Sequence, residues 1–491
     1  MATFIGSGKD EITILSTSYS PHDKAKFVNI VTLEGEQLSQ GDKYIISYSK
    51  DHKYKIKYDV VISPDTPLTV SGNENFIYLP GYALPIIANL EDNQQTARIK
   101  LHTSKNYNVI SSINYPKNNK NILFHGTFSQ FQNSWFLISK KDLITTKSMN
   151  IGKRASDLLF IGIGDTQQAE IQSYVQKVYS SQQSLFNQKR SIPVSLFVSG
   201  QTGNMRFCLN LNTSIVYFMP DDMDTSDVGV LAHEHMHNYI NYSLIEDYKS
   251  SWFSEGFTEY YARKNNLKFG IISPQEYLDC YNSTIAFYAA RFLHNISLEK
   301  LQNIAFFQDN IHSRGIMLAH ELDYHIQAAT HGKKSLDDVM AKIIKNANKN
   351  NKLTISKFQR ELKFVTGKDF NYLFEEILDK GNLSALSINA IPGSTLVMTK
   401  IFVPDMGFDY YNALTNAKIS DLDHNSPAFQ VGIRNGDMID PYMPSITHFA
   451  PYDEKKVKVR VPIIKVTGTK EIAYFANTKE LEIPQYQLRE K

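Results

Sequence analysis

The chain has 491 residues, with 52 Lys and Arg against 50 Asp and Glu, a formal charge of +2 and 42% hydrophobic residues. This length calls for roughly two to four domains with a substantial core, and a near-neutral balance without a basic stripe interleaved with aromatics argues against nucleic acid or a membrane surface as partner. Only Cys208 and Cys280 are present, which excludes a disulfide framework and permits one bridge or two free thiols. No apolar stretch approaches membrane-spanning length, and residues 1–10 lack the apolar core of a signal peptide. A soluble protein is expected, either cytoplasmic or a secreted or periplasmic chain with its leader removed.

In chain order, the first 150 residues alternate in strand fashion, as in Tyr54-Lys-Ile-Lys-Tyr-Asp-Val60, where even positions are apolar and odd ones polar. Turn clusters such as Ser71-Gly-Asn-Glu-Asn75 separate these runs and predict a β-sandwich-like domain. Leu158 to Gly164 reads as a buried strand and Thr166 to about Asn187 as a helix. Pro193–Val198 and Thr213–Phe218 read as further strands. Ser226 is an N-cap candidate ahead of an apolar run that opens the next helix, and Ser254 an N-cap candidate for another. From 256 to about 380 the pattern is mainly helical. Ser335 with Asp338 three residues on marks a helix start, and Gly381 marks the end. The Asn- and Lys-rich stretch from Lys345 to Lys352 reads as a solvated loop. Strand periodicity then returns, most clearly in Val457–Val466.

Residues 233–237 read His-Glu-His-Met-His, and Trp252-Phe-Ser-Glu-Gly-Phe-Thr-Glu-Tyr-Tyr261 follows. On a helix, i and i+4 share a face, so His233 and His237 can offer two imidazoles to one zinc ion while Glu234 leans over the open coordination position. Glu255 is the best candidate for the third ligand. Two neutral imidazoles and one carboxylate leave a net positive centre, which brings the pKa of a bound water toward neutrality, and Glu234 is placed to act as general base. Glu259, four residues past Glu255, is expected to accept the second ring N–H of a ligand histidine. His235 falls on the opposite face and reads as a packed or surface histidine.

These residues resemble the gluzincin peptidases, and most closely the glycyl aminopeptidase family, whose members join a β-rich N-terminal domain, a thermolysin-like domain and a C-terminal PDZ domain. Three further segments fit. Arg314-Gly315, Leu322-Asp323 and Gly332–Met340 are similar to the helical half of the family's catalytic domain, Phe358–Phe374 to its closing helices, and Asn425–Asp437 to a PDZ helix-and-turn signature. The resemblance implies an α+β multidomain chain. Its parts would be a β-rich domain at 1–150, a thermolysin-like domain with a mixed sheet followed by helices at 151–382, and a PDZ-like β domain at 383–491. A PDZ domain would bind a C-terminal peptide by strand addition, with Gly407 and Phe408 in the carboxylate-holding loop, or the module is a lid or docking domain with an empty groove.

Two departures from the family pattern stand out. Where such peptidases present Gly-Gly-x-Glu-His, with the glutamate expected to hold a free amine, this chain reads Gly203-Asn-Met-Arg206-Phe207. Arg206 would repel an α-ammonium and favour a carboxylate. Where related enzymes place an oxyanion-stabilising tyrosine two residues before Lys/Arg-Gly, this chain has His312, whose ring N–H can do the same work; Tyr281 or Tyr288 are alternatives. The expected function is zinc-dependent hydrolysis of a peptide or protein substrate by an aminopeptidase-family enzyme with altered recognition of the N-terminus, Arg206 standing in place of the expected glutamate, and with one Zn2+ per chain. The other readings are an endopeptidase of the same fold, or an inactive zinc-containing scaffold acting through its PDZ domain.

Overall fold

The computed structural model describes residues 2–5, 11–15, 27–32, 43–47, 53–60, 70–83, 86–87, 95–113, 115–117, 120–186, 192–199, 207–211, 214–220, 225–240, 244, 251–291, 296–301, 308–346, 352–440, 456–465 and 468–489. The chain groups into two compact units, Met1–Gln183 with Gln188–Asn238, and Ser184–Asn187 with Tyr239–Lys491.

The first unit opens with antiparallel sheets. Lys53–Val60, the alternating segment, lies between Ala2–Ile5 and Phe27–Thr32, and a second three-stranded sheet joins Lys43–Ser47, Glu11–Leu15 and Ile86–Ile87. The turn read at 71–75 joins Ser71–Gly72 to Phe76–Pro80, and Asn73 closes it by accepting the Asn75 N–H at 2.8 Å. The carboxamide oxygen supplies what a backbone carbonyl would supply in a tighter turn.

A mixed sheet follows, with five strands: β1 (Ile144–Ile151), β2 (Arg154–Ile161), β3 (Val194–Val198), β4 (Phe207–Asn210) and β5 (Ser214–Phe218), in the order β1-β2-β3-β5-β4. β2, β3 and β5 are parallel, while β1 and β4 run antiparallel at the two edges. All five residues of β3 and of β5 are buried, which explains their unbroken apolar runs: a central parallel strand is covered on both faces. The expected boundary at 150 falls inside β1. That strand pairs along its whole length with β2, and a shared hydrogen-bond ladder places both in one sheet. The helix read at 166–187 is α1 (Asp165–Leu185), and the helix carrying the histidines is α2 (Thr225–Met236). Trp135, fully buried, donates from Nε1 to Ser214 Oγ at 2.9 Å and ties the preceding strands to β5.

The second unit is mainly helical. A π-helical turn, Trp252–Phe257, runs into α3 (Thr258–Lys268), followed by α4 (Pro274–Ala290), α5 (Gln308–Ala329), α6 (Leu336–Asn346) and α7 (Ile355–Thr366). Trp252, Phe253 and Phe257 pack with Phe358 and Phe374 in an aromatic core. Ser335 behaves as read, its N–H donating to Asp338 Oδ2 at 2.9 Å just before α6. Gly381 has a φ of +65° and lies so close to Tyr288 and Arg314 that a Cβ would overlap both.

The C-terminal residues form a three-stranded antiparallel sheet of β6 (Ser394–Asp405), β7 (Lys456–Lys465) and β8 (Gly468–Leu488), with β8 central. Asn282 of α4 exchanges two hydrogen bonds of 2.8 Å with the backbone of Tyr486, which fastens β8 to the helices. The Gly407 N–H donates to Asp405 Oδ1 at 3.1 Å, Phe408 is buried, and the chain continues into a helix, Tyr410–Asn416.

Candidate metal centre and its surroundings

α2 is held from several sides. Tyr217 on β5 donates its hydroxyl to the buried carboxylate of Asp227 in the first turn. The helix already includes Thr225, so Ser226 lies within its first turn and is not the N-cap; the Asp227 contact fixes the start instead. Near the other end, Gln182 of α1 donates to the Ala232 carbonyl at 2.7 Å. Because the Gln182 amide nitrogen is thus a donor, its Oε1 accepts from His235 Nδ1 at 2.8 Å, which fixes the tautomer of that ring. Tyr179 stacks on His235 with centroids 3.8 Å apart. His235 is therefore a packed histidine, and burial drives its pKa down to about 3, so it stays neutral.

On the other face, His233, Glu234 and His237 present ligand-type atoms within 4.8 Å of one another, all three residues half-buried. α2 ends at Met236, but the His237 N–H still reaches the His233 carbonyl at 3.3 Å, so the i, i+4 relation survives into the closing turn. The rings lie edge to face, 4.7 Å between centroids. Zinc at about 2.0–2.1 Å from each nitrogen requires donor atoms roughly 3.5 Å apart, which small side-chain rotations supply. The donor set fits that ion.

Glu234 is oriented by a residue that no sequence motif singles out. Asn210, the last residue of edge strand β4, donates its backbone N–H to Glu234 Oε2 at 2.9 Å and its side-chain amide to the Glu234 carbonyl at 2.6 Å. The signal lies in the strand pattern: Asn210 sits just before the turn into Thr213–Phe218, whereas the family motif points to Gly203 and Arg206, which lie outside the described residues. Cys208 on the same strand is buried. Burial first, and then the charge of Glu234, push its thiol pKa up, so it is a protonated, free thiol.

The remaining expected residues belong to the second unit. Glu255 is half-buried in the π turn. Ser254 does not cap this helix. It is fully buried inside the turn, its carbonyl accepting from Thr258 Oγ1 at 2.6 Å, because packing of Trp252 and Phe253 draws the chain into the helix earlier. Gly256 and Gly315 meet where the π turn crosses α5. A Cβ on Gly315 would lie 2.0 Å from the Trp252 carbonyl oxygen, and one on Gly256 would lie 2.8 Å from that of His312. Two glycines are what allow the backbone beside Glu255 to approach that of His312. Glu259 on α3 is paired with Arg263 Nε. Arg263 also donates from Nη1 to the Cys280 carbonyl and to Thr284 Oγ1, each at 3.0 Å.

His312 opens on a cleft of about 500 Å³ between α4 and α5, whose lining includes Arg263, Thr284, Phe287 and Arg291. The tyrosine alternatives are committed elsewhere. Tyr288 accepts from Arg314 Nε at 2.9 Å and donates to the Gly381 carbonyl at 3.1 Å, while Tyr281 is buried between His320 and Tyr486. Arg314, itself fully buried, spends its other N–H groups on the carbonyls of Leu378, Asp379 and Ile296. Asp323 has a structural role too. Burial alone would raise its pKa, but Lys264 at 2.9 Å, with hydrogen bonds from Tyr260 and the Leu336 N–H, holds it below the ordinary value.

No protein-family model and no curated protein matches this sequence. Among solved structures, the fold is similar to that of an aminopeptidase N family protein from Idiomarina loihiensis, with a TM-score of 0.71 at 14% identity over 99% of this chain and 95% of that one. It is also similar to an M1 zinc metallopeptidase from Deinococcus radiodurans, with a TM-score of 0.50 at 12% identity over 78% of this chain and 90% of that one. Identities this low speak for the fold alone.

Proposed function

We propose that this chain is a zinc-dependent peptidase in which His233, His237 and Glu255 hold the metal and Glu234 is the general base. The observation that carries the reading is the cluster of two imidazoles and a carboxylate on α2 and its closing turn, within 4.8 Å of one another and held against strand β4 through Asn210. The likeness in fold to zinc metallopeptidases supports it.

Zinc, when bound, would polarise the scissile carbonyl and make a water acidic enough to lose a proton near neutral pH. Glu234 takes that proton and passes it to the leaving amine as the C–N bond breaks, and Asn210 keeps the carboxylate aimed during both transfers. His312 donates a ring N–H to the oxyanion developing on the substrate carbonyl. Glu259, braced by Arg263, is the proposed acceptor for a ligand histidine N–H.

Whether hydrolysis is at the N-terminus or internal turns on what meets the α-amine. Asn210, the residue at the β4 edge beside Glu234, is neutral, so it offers dipoles but no counter-charge; Arg206, if it faces substrate, is repulsive. An aminopeptidase-type enzyme with weakened selection for a free amine follows, and its endopeptidase form is the second reading. The scaffold reading is disfavoured because a purely structural zinc site closes its coordination with protein ligands and needs no anchored base. Residues 394–489 are assigned a docking or lid role in place of peptide capture at Gly407 and Phe408. The test is cleavage of N-terminally free and acetylated versions of one peptide by wild type and Glu234→Gln. Loss of both activities in the variant supports the mechanism, and equal rates on both substrates favour the endopeptidase form.

A further inference from the structure

We propose that Gln182, acting through His235, is a positioning residue for the metal site: it pins the last turn of α2, so that His237, which lies beyond the regular helix, keeps the spacing from His233 that zinc requires. The inference rests on the zinc site of the proposed function and adds what holds its donors in place. Every residue that carries it belongs to the first unit. His237 needs such support because the helix alone holds it weakly: α2 stops at Met236, and the His237 N–H reaches the His233 carbonyl at a long 3.3 Å. A change of winding from α-helical to 3₁₀ alters the rise by about 0.5 Å per residue, so from His235 to His237 it moves the second imidazole by about 1 Å. Zinc–ligand distances tolerate about 0.2 Å.

Three carboxamides grip the C-terminal end of α2. Gln182 of α1 donates to the Ala232 oxygen at 2.7 Å, Asn210 of β4 to that of Glu234 at 2.6 Å, and the buried Asn238 to that of His235 at 2.7 Å. The Glu234 and His235 carbonyls lie where intrahelical partners run out, so these bonds decide how the closing turn winds. Gln182 grips twice, since its oxygen also takes the Nδ1–H of His235 at 2.8 Å. His235 thereby becomes the fixed post between the two ligands. Its ring is tied to α1 and stacked on Tyr179 with centroids 3.8 Å apart, and its carbonyl holds Asn238, the residue after His237. Packing alone does not immobilise the ring, because a void of about 10 Å³, room for one water, is lined by it together with Ile151, Ser156 and Ile192. The directional bond to Gln182 is what fixes it.

The experiment measures zinc affinity apart from turnover, by competition with a chromogenic chelator, on the full-length wild type, Gln182→Met and Gln182→Met/His235→Phe. Met fills the volume of Gln182 but strands the His235 N–H. The double variant strands no N–H and keeps an aromatic ring for Tyr179 to stack on, so it should melt near wild type. Both variants should bind zinc roughly tenfold more weakly, as when a contact that orients a ligand is lost, and their cobalt-substituted forms should show shifted visible bands. Affinity that returns to the wild-type value in the double variant along with its melting temperature would make Gln182 and His235 merely structural and overturn the proposal. So would wild-type affinity in a folded Gln182→Met, or a double variant that does not fold, since the pair would then hold the unit together rather than the site. If Gln182→Met alone fails to fold, the double variant decides. A wild type that binds no zinc removes the site and the proposal with it, whereas zinc bound by wild type without cleavage of peptide counts against the peptidase reading and leaves the positioning role standing.

Discussion

Substituting alanine for Gly315 tests whether the crossing of the π turn and α5 sets the geometry around Glu255. The added Cβ would lie 2.0 Å from the Trp252 oxygen, 2.8 Å from its carbonyl carbon and 2.9 Å from its Cα. All three are backbone atoms, so no side chain can swing aside, and the helices must separate by on the order of 1 Å to restore contact distance. Overpacking of this kind costs about 1–3 kcal/mol, which for a unit of this size lowers the melting temperature by roughly 3–10 °C. The same displacement carries Glu255 and His312 apart, and a misplacement of about 1 Å at reacting groups costs on the order of 100-fold in rate. Calorimetric melting with steady-state peptide hydrolysis measures both. A variant melting within a degree of wild type at full activity would refute the close crossing. Gly229 in α2 is the control: nothing lies within 4 Å of a Cβ added there and its φ is ordinary, so Gly229→Ala should be neutral or stabilising by up to about 1 kcal/mol.

Other outcomes follow from buried polar groups. Arg314→Met strips partners from the Leu378, Asp379 and Ile296 carbonyls and should cost about 3–5 kcal/mol, read as a lower urea midpoint; a midpoint near that of wild type would deny the guanidinium its structural role. Burial holds the pKa of His320 at about 3, so the folded chain binds no proton there while an unfolded histidine does below about 6.5. The stability this provides is complete above about pH 6.5 and declines by up to about 1.4 kcal/mol per pH unit as pH falls toward 3. His320→Phe should flatten urea-derived stability between pH 6 and 4 by that amount, and an unaltered slope would show that the ring already takes a proton in the folded state. Asn210→Ala removes the side-chain bond to Glu234 but keeps the backbone one, so kcat should fall about tenfold with zinc content unchanged; loss of zinc instead would assign Asn210 to metal retention.

The residues that read correctly from sequence are those whose partners are near in sequence. His233 and His237 share a helix face by periodicity alone, the Ser335 and Asp338 pairing is local, and the buried runs of β3 and β5 announce themselves by composition. What escapes depends on tertiary partners. Asn210 gains its meaning only when an edge strand meets α2. The π turn arises from a glycine contact between segments 59 residues apart, so Ser254 reads as a cap. A hairpin across residue 150 hides the start of the sheet, since alternation does not change at that point.

The central claim is tested most directly by measuring bound zinc and peptide cleavage together, for wild type and Glu234→Gln. The account predicts about one zinc per chain in both proteins and hydrolysis reduced by at least about 1,000-fold in the variant alone, as expected when the general base is lost but the ligands remain. Zinc bound at that level with no cleavage by wild type, or equal cleavage by both proteins, would contradict it.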